Sequence, residues 1–116
     1  MISGSLSKTY NGRYYEFFLV LDGETVVGVM NVSAHSDHII SCGPEIKPEF
    51  RQKGYAFEAE SMVLDMAKSK GFTIAVGGVQ ETNAASRALH EKLGFEHDRT
   101  YTNKRGYNIC LYIKAL

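Results

Sequence analysis

"RQKGYAFEAE", residues 51–60, puts two basic residues and a glycine directly ahead of what reads as the first turns of a helix. A serine or aspartate would cap that helix more simply. A helix start leaves about four backbone N–H groups without internal partners, and its dipole adds roughly half a positive charge there. Phosphate fits such a place. Gly54 lets the backbone approach a ligand closely because no Cβ intervenes, and Arg51 and Lys53 add side-chain charge. The plainer alternative is a solvated basic turn. Neither of the common phosphate-loop patterns, G-x-x-x-x-G-K-[ST] or G-x-G-x-x-G, is present.

Downstream, Ala56 to Lys70 places Ala59, Met62, Val63, Met66 and Ala67 at the spacing of one inward helix face. Glu58 and Glu60 lie early and Lys68 and Lys70 late, both favourable to the dipole, and Gly71 is the expected stop. "FTIAV" (72–76) reads as a short buried strand that "GG" (77–78) breaks. Asn83 to Leu93 reads as a second helix with Ala85, Ala88, Leu89 and Leu93 inward and Gly94 as its stop. The chain then reads as a hairpin: Glu96 to Thr102, a turn at "NKRG", and Tyr107 to Ile113.

Upstream, Tyr14 to Leu21 is dense in aromatic and branched residues, and Asp22-Gly23 is a hairpin signal. Val26 to Ser33 is the return strand, and a third strand is expected over Ile39 to Lys47. Residues 2–10 can add an edge strand. The order is β-β-β-α-β-α-β-β, an α/β (α+β) arrangement in one domain of 116 residues.

Thirteen basic residues balance 13 acidic ones, so no net field draws the molecule to nucleic acid or to a membrane surface. Any anion site must be local. No apolar run approaches the roughly 20 residues of a membrane span, and the first residues are too polar for a signal peptide, so a cytoplasmic location is expected. Cys42 and Cys110 have no metal-ligand spacing and read as two reduced thiols. His35, His38 and His97 lack ligand spacing too, and no metal is expected.

"PEIKPEFRQKGYAFEAE" followed by "NAASRALHEKLGF" resembles the GNAT acetyltransferases, most closely the RimJ/RimL-like branch that acetylates protein N-termini. The family's acetyl-CoA loop, [QR]-x-x-G-x-[GA], is matched by Arg51-Gln52-Lys53-Gly54-Tyr55-Ala56. Its second signature, an asparagine opening a helix that ends in lysine, an apolar residue and Gly-Phe, is matched by Asn83 through Phe95. The two in order, correctly separated, are a specific signal over about half the chain.

The resemblance implies a GNAT-like mixed central sheet with two helices, and acetyl-CoA as cosubstrate with no metal. Backbone N–H groups of Gln52 to Ala56 would hold the pyrophosphate, and main-chain groups of Ile46 and Lys47 would meet the pantetheine amides. Asn83 would bond the pantetheine arm with Ser86 nearby; a plain N-cap and a surface serine are the alternatives. Gly77 and Gly78 would sit where two strands splay. Many relatives carry a general-base glutamate where Gly78 stands, five residues before Asn83, so Glu45 becomes the first candidate base and Glu81 the next, unless a water chain serves.

His90 follows Asn83 by seven residues, about two helical turns, and so shares its face. The family often has a tyrosine there that protonates the leaving thiolate; histidine is a chemically reasonable substitute, and a helix histidine that only packs is the alternative. Only 13 residues precede Tyr14, too few for the two helices that family members place after their first strand. An N-terminally shortened fold is therefore expected, with an incomplete acceptor wall and a homodimer. The expected activity is acetyl transfer from acetyl-CoA to a protein N-terminus or small-molecule amine. A shortened acyl-CoA-binding module that senses ligand or mediates assembly is the alternative.

Overall fold

Strands β4 (Ile39–Ile46) and β5 (Ile74–Gln80) begin side by side and then part, and this determines where a ligand can sit. They pair in parallel only from Ile39↔Ile74 to Ser41↔Val76. Beyond that point β4 stays bonded to β3 (Thr25–Ala34), and β5 to β7 (Asn108–Ala115), leaving a wedge between them.

The structure is a computed structural model that describes residues 2–10 and 13–116, with side chains described from Tyr14 onward. Seven strands form one sheet in the order β1-β2-β3-β4-β5-β7-β6, with β1 at Ile2–Tyr10, β2 at Arg13–Asp22 and β6 at Glu96–Thr102. Every neighbouring pair except β4·β5 is antiparallel. The segment 2–10 is thus a full edge strand. Helix α1 (Tyr55–Ser69) crosses from β4 to β5, as a parallel pair requires, and α2 (Ala84–Lys92) leads from β5 to β6.

The expected order holds, with three corrections. β5 runs straight through Gly77 and Gly78, because each still pairs with β7, at Tyr112 and Leu111. A glycine lacks a side chain, not ladder groups. On α1 the inward face holds Ala59, Glu60, Val63, Leu64 and Ala67, while Met62 is 44% exposed. On α2 Ala85 and Ala88 are exposed and the one buried residue is His90.

Burial alternates along the strands. Phe18, Met30, Val32, Ile40, Ala75, Val79, Cys110 and Tyr112 are buried and share one face by register. Both helices cover that face: α1 packs on β4, and α2 brings His90 onto Gly77 and Tyr112. The opposite alternation, including Phe17, Leu19, Val29, Ile74, Val76, Leu111 and Ile113, is only half-buried. Among the described residues no helix lies on it. No helix among them is long and apolar enough to cross a membrane.

Candidate active site

The wedge between β4 and β5 opens into a cavity of about 900 Å³, within the range of small-molecule sites. One end is the start of α1. Gly54 is its N-cap with φ +86°, a left-handed conformation that glycine adopts without strain, and no side chain caps the helix. Gln52 is also left-handed, at φ +63°, which is uncommon for a residue with a Cβ. Successive turns of this kind aim backbone N–H groups into a concavity suited to an anion. Arg51, Gln52, Gly54, Tyr55 and Ala56 all line the cavity.

The basic side chains of this loop are held by neighbouring groups. Arg51 donates from Nε to the Ile46 carbonyl at 2.9 Å, tying the loop to the end of β4. Lys53 stands 5.9 Å over the Phe50 ring, and neither it nor Lys47 lines the cavity. The Lys47 N–H is spent on Val27 O at 2.8 Å, so Ile46 N–H is the main-chain donor that strand alternation turns to the wedge. Tyr55 holds the loop from the other side, its hydroxyl donating to Asp22 Oδ2 at 2.5 Å.

Asn83 caps α2, its Oδ1 accepting from Ser86 N at 3.1 Å, and both residues line the cavity. His90 lines it too, although it is only 5% exposed. Its Nδ1 lies 2.7 Å from Ser86 O, a carbonyl that can only accept, so Nδ1 carries a proton. Nε2 is left facing Gly77, where an added Cβ would approach to 2.7 Å. Tyr112 stacks on the His90 ring at 5.3 Å, Phe95 meets it edge-on at 5.0 Å, and the His97 ring lies 5.4 Å from that of Tyr112. The Tyr112 hydroxyl donates to Glu91 and accepts from Arg87 Nε.

Glu45 lines the cavity and is exposed. Glu81 does not line it; its Oε1 accepts from Asn108 Nδ2 at 3.4 Å. At Gly78 a Cβ would stand 3.2 Å from Ile109 Cγ2 and 3.9 Å from the Tyr101 hydroxyl, so a larger side chain would crowd β7. Among the described residues no group of three or more His, Cys, Asp or Glu is placed to hold a metal ion.

Sequence reasoning passed over several lining residues. Lys92 of α2 stands 4.6 Å over the Phe57 ring of α1, joining the helices where both line the cavity. Asn31, Ser33 and Ser41 line it from the open sheet face, with Tyr15 donating to Asn31 Oδ1 at 3.2 Å. Cys42 lines it as a half-buried thiol, and burial, with the nearby Glu60 carboxyl, pushes its pKa up to about 12.

Comparison with known proteins bears on this arrangement. A model of the "Acetyltransferase (GNAT) domain" matches residues 1–96, and the chain belongs to the GNAT acetyltransferase family. Solved structures share the fold. A GNAT family acetyltransferase from Elizabethkingia anophelis with acetyl-CoA bound has a TM-score of 0.82 at 15% identity, over 88% of this chain and 76% of that one. A ribosomal-protein-alanine N-acetyltransferase from Brucella melitensis has a TM-score of 0.80 at 20% identity, over 88% and 69%. A putative acetyltransferase from Salmonella typhimurium with its cofactor acetyl-CoA has a TM-score of 0.77 at 20% identity, over 88% and 65%. No curated protein matches this sequence.

Proposed function

We propose that the protein transfers an acetyl group from acetyl-CoA to an amine by direct attack, with a protein or peptide α-amine as the first acceptor class and a small-molecule amine as the second. The observation that carries this is the single cavity running from the uncapped start of α1 into the parted strands. Acetyl-CoA fits that shape: its pyrophosphate against the N–H groups of Gln52 to Ala56, its arm along β4 beside Ile46, and its amides within reach of Asn83. The left-handed Gln52 and Gly54 support the anion end. The acceptor class rests on the likeness to the RimJ/RimL-like signatures and on the Brucella melitensis neighbour.

The amine lone pair attacks the thioester carbonyl, and the C–S bond breaks to release the thiolate. His90 supplies the thiolate's proton from Nε2; since Nδ1 is committed to Ser86 O, the donor form carries protons on both nitrogens. Glu45, exposed on the cavity wall, is the carboxylate offered to the incoming ammonium. The amine approaches from the half-buried sheet face beside Asn31, Ser33 and Ser41, and a second copy of the chain covers the apolar part of that face around Leu19 and Val29.

The experiment is direct: protein, acetyl-CoA, and a panel of peptides and small amines, with free thiol as the readout. Amine-dependent thiol release is expected. Tight acetyl-CoA binding without release on any acceptor would favour the binding-module alternative, which the missing carboxylate at Gly78 also favours.

A further inference from the structure

A line of three side chains leads from the cavity wall to solvent. Ser33 and Ser41 face each other across the β3–β4 ladder, with their hydroxyls 3.2 Å apart, and both line the cavity. Ser41 Oγ is also 3.0 Å from His35 Nε2. His35 is exposed and stands outside the cavity. Its position is set by a bonded turn: His35 N donates to Ile39 O at 2.8 Å, and Ser36 Oγ accepts from the N–H groups of His38 and Ile39, each at 3.1 Å.

Ser41 also marks the closed end of the wedge, because Ser41↔Val76 is the last pair before the strands part. The anion end lies past Ile46, five residues along β4, or about 17 Å at the usual rise per residue. An arm entering from α1 therefore ends beside Ser41. Glu45 is four residues back towards the mouth, roughly 13 Å away by the same rise.

We propose that His35, acting through Ser41, takes up the proton that the acceptor ammonium must lose before attack. The inference rests on the acetyl-transfer function above. Valence supports the direction of flow. A serine hydroxyl has one proton to give and two lone pairs to receive. Ser41 gives its proton to His35 Nε2, accepts the Ser33 hydroxyl with one lone pair, and keeps the other for the substrate N–H. As the ammonium proton moves to Ser41 Oγ, the Ser41 proton moves to Nε2, leaving a neutral amine and an imidazolium that exchanges with water. The amine forms the C–N bond, the C–S bond breaks, the thiolate takes its proton from His90, and the remaining extra N–H proton replaces the one His90 gave. An exposed imidazole can take a proton at Nε2 and pass one to water, which suits His35 to receive and release this proton. Among the described residues, Ser41 is the side chain hydrogen-bonded to the His35 ring.

His35→Gln keeps a hydrogen-bonding group where Nε2 stood but cannot carry the proton. The assay uses acetyl-CoA and the amine on which the wild type releases most thiol. Expected for His35→Gln is a fall in kcat of about tenfold or more, the lower end of general-base effects because a hydroxyl intervenes. KM for the amine and affinity for acetyl-CoA should stay near wild type. Added imidazole should restore turnover to His35→Ala but not to Ser41→Ala, in which the link into the cavity is gone. Wild-type kcat in His35→Gln, or no imidazole rescue of a slowed His35→Ala, overturns the relay and leaves the acetyl-transfer function standing. A wild type that releases no thiol on any amine overturns that function and the relay with it.

Discussion

The His90 imidazole occupies the space that a side chain at position 77 would need: a Cβ on Gly77 would stand 2.7 Å from Nε2. The strand can part from β4 and still carry α2 on its face because this position is bare. Gly77→Ala is expected to push the imidazole out of line and to lower kcat more than acetyl-CoA affinity. His90→Phe, which keeps a ring between Tyr112 and Phe95, should stay folded but lose about 10²-fold in turnover, a typical general-acid contribution. Wild-type turnover in His90→Phe, measured with chemistry rate-limiting, would reduce His90 to packing.

The loop ahead of α1 makes a second expectation sharp. Nothing lies within 4 Å of a Cβ built on Gly54, so Gly54→Val meets no protein clash. Its cost comes from φ +86°, which a β-branched residue resists, and from the methyl groups it places on the cavity wall. Calorimetric titration should show acetyl-CoA affinity lost while the circular dichroism spectrum stays native. Retained micromolar affinity in that variant would mean the anion end is elsewhere.

Glu45 tests the division of labour on the acceptor side. If it attracts the ammonium, Glu45→Gln raises the amine KM several-fold and leaves kcat within about a factor of two, the pattern of lost ground-state binding. A loss falling on kcat alone would instead make Glu45 the base.

These residues were not equally legible. The start of α1 could be read because a helix terminus is local: Arg51 to Ala56 contain both the turn and the uncapped N–H groups. Asn83 and His90 could be placed on one face by helical period alone. Ser33, Ser41 and His35 could not, because strand register and a turn bring them together and no sequence spacing announces that. Glu60 was hidden for another reason. Charged residues are expected outside, and its position beside Ala59 was read only as a favourable charge for the dipole. For His90 the face was legible but the partners that make its burial tolerable, Ser86 O and the rings of Phe95 and Tyr112, were not.

The open sheet face predicts association. Phe17, Leu19, Val29, Val76 and Leu111 lie half-buried on it by register. With a chain mass of 12.9 kDa, sedimentation at tens of micromolar should give a species near twice that mass. Leu19→Lys, on this face, should shift it towards monomer. A clean monomer for the wild type would mean that the face stays solvated or is covered by something else.

Glu60 predicts how stability depends on pH. It is fully buried on α1, and neither carboxylate oxygen has a hydrogen-bond partner among the described residues. Desolvation raises its pKa from 4.5 to about 8, because the charged form has no compensating donor. Between those values the folded state holds a proton that the unfolded chain has released. Stability from this group is therefore fully present below 4.5, falls as pH rises towards 8, and is level above it. Each unit of difference is worth about 1.4 kcal/mol, so the loss across the window is on the order of a few kcal/mol. Glu60→Leu removes the titrating group at similar volume. In urea denaturation its stability advantage over the wild type should be small at pH 5 and grow steadily to pH 8. An advantage that does not change with pH would show that Glu60 finds a donor, such as a buried water, and keeps its charge in the folded protein.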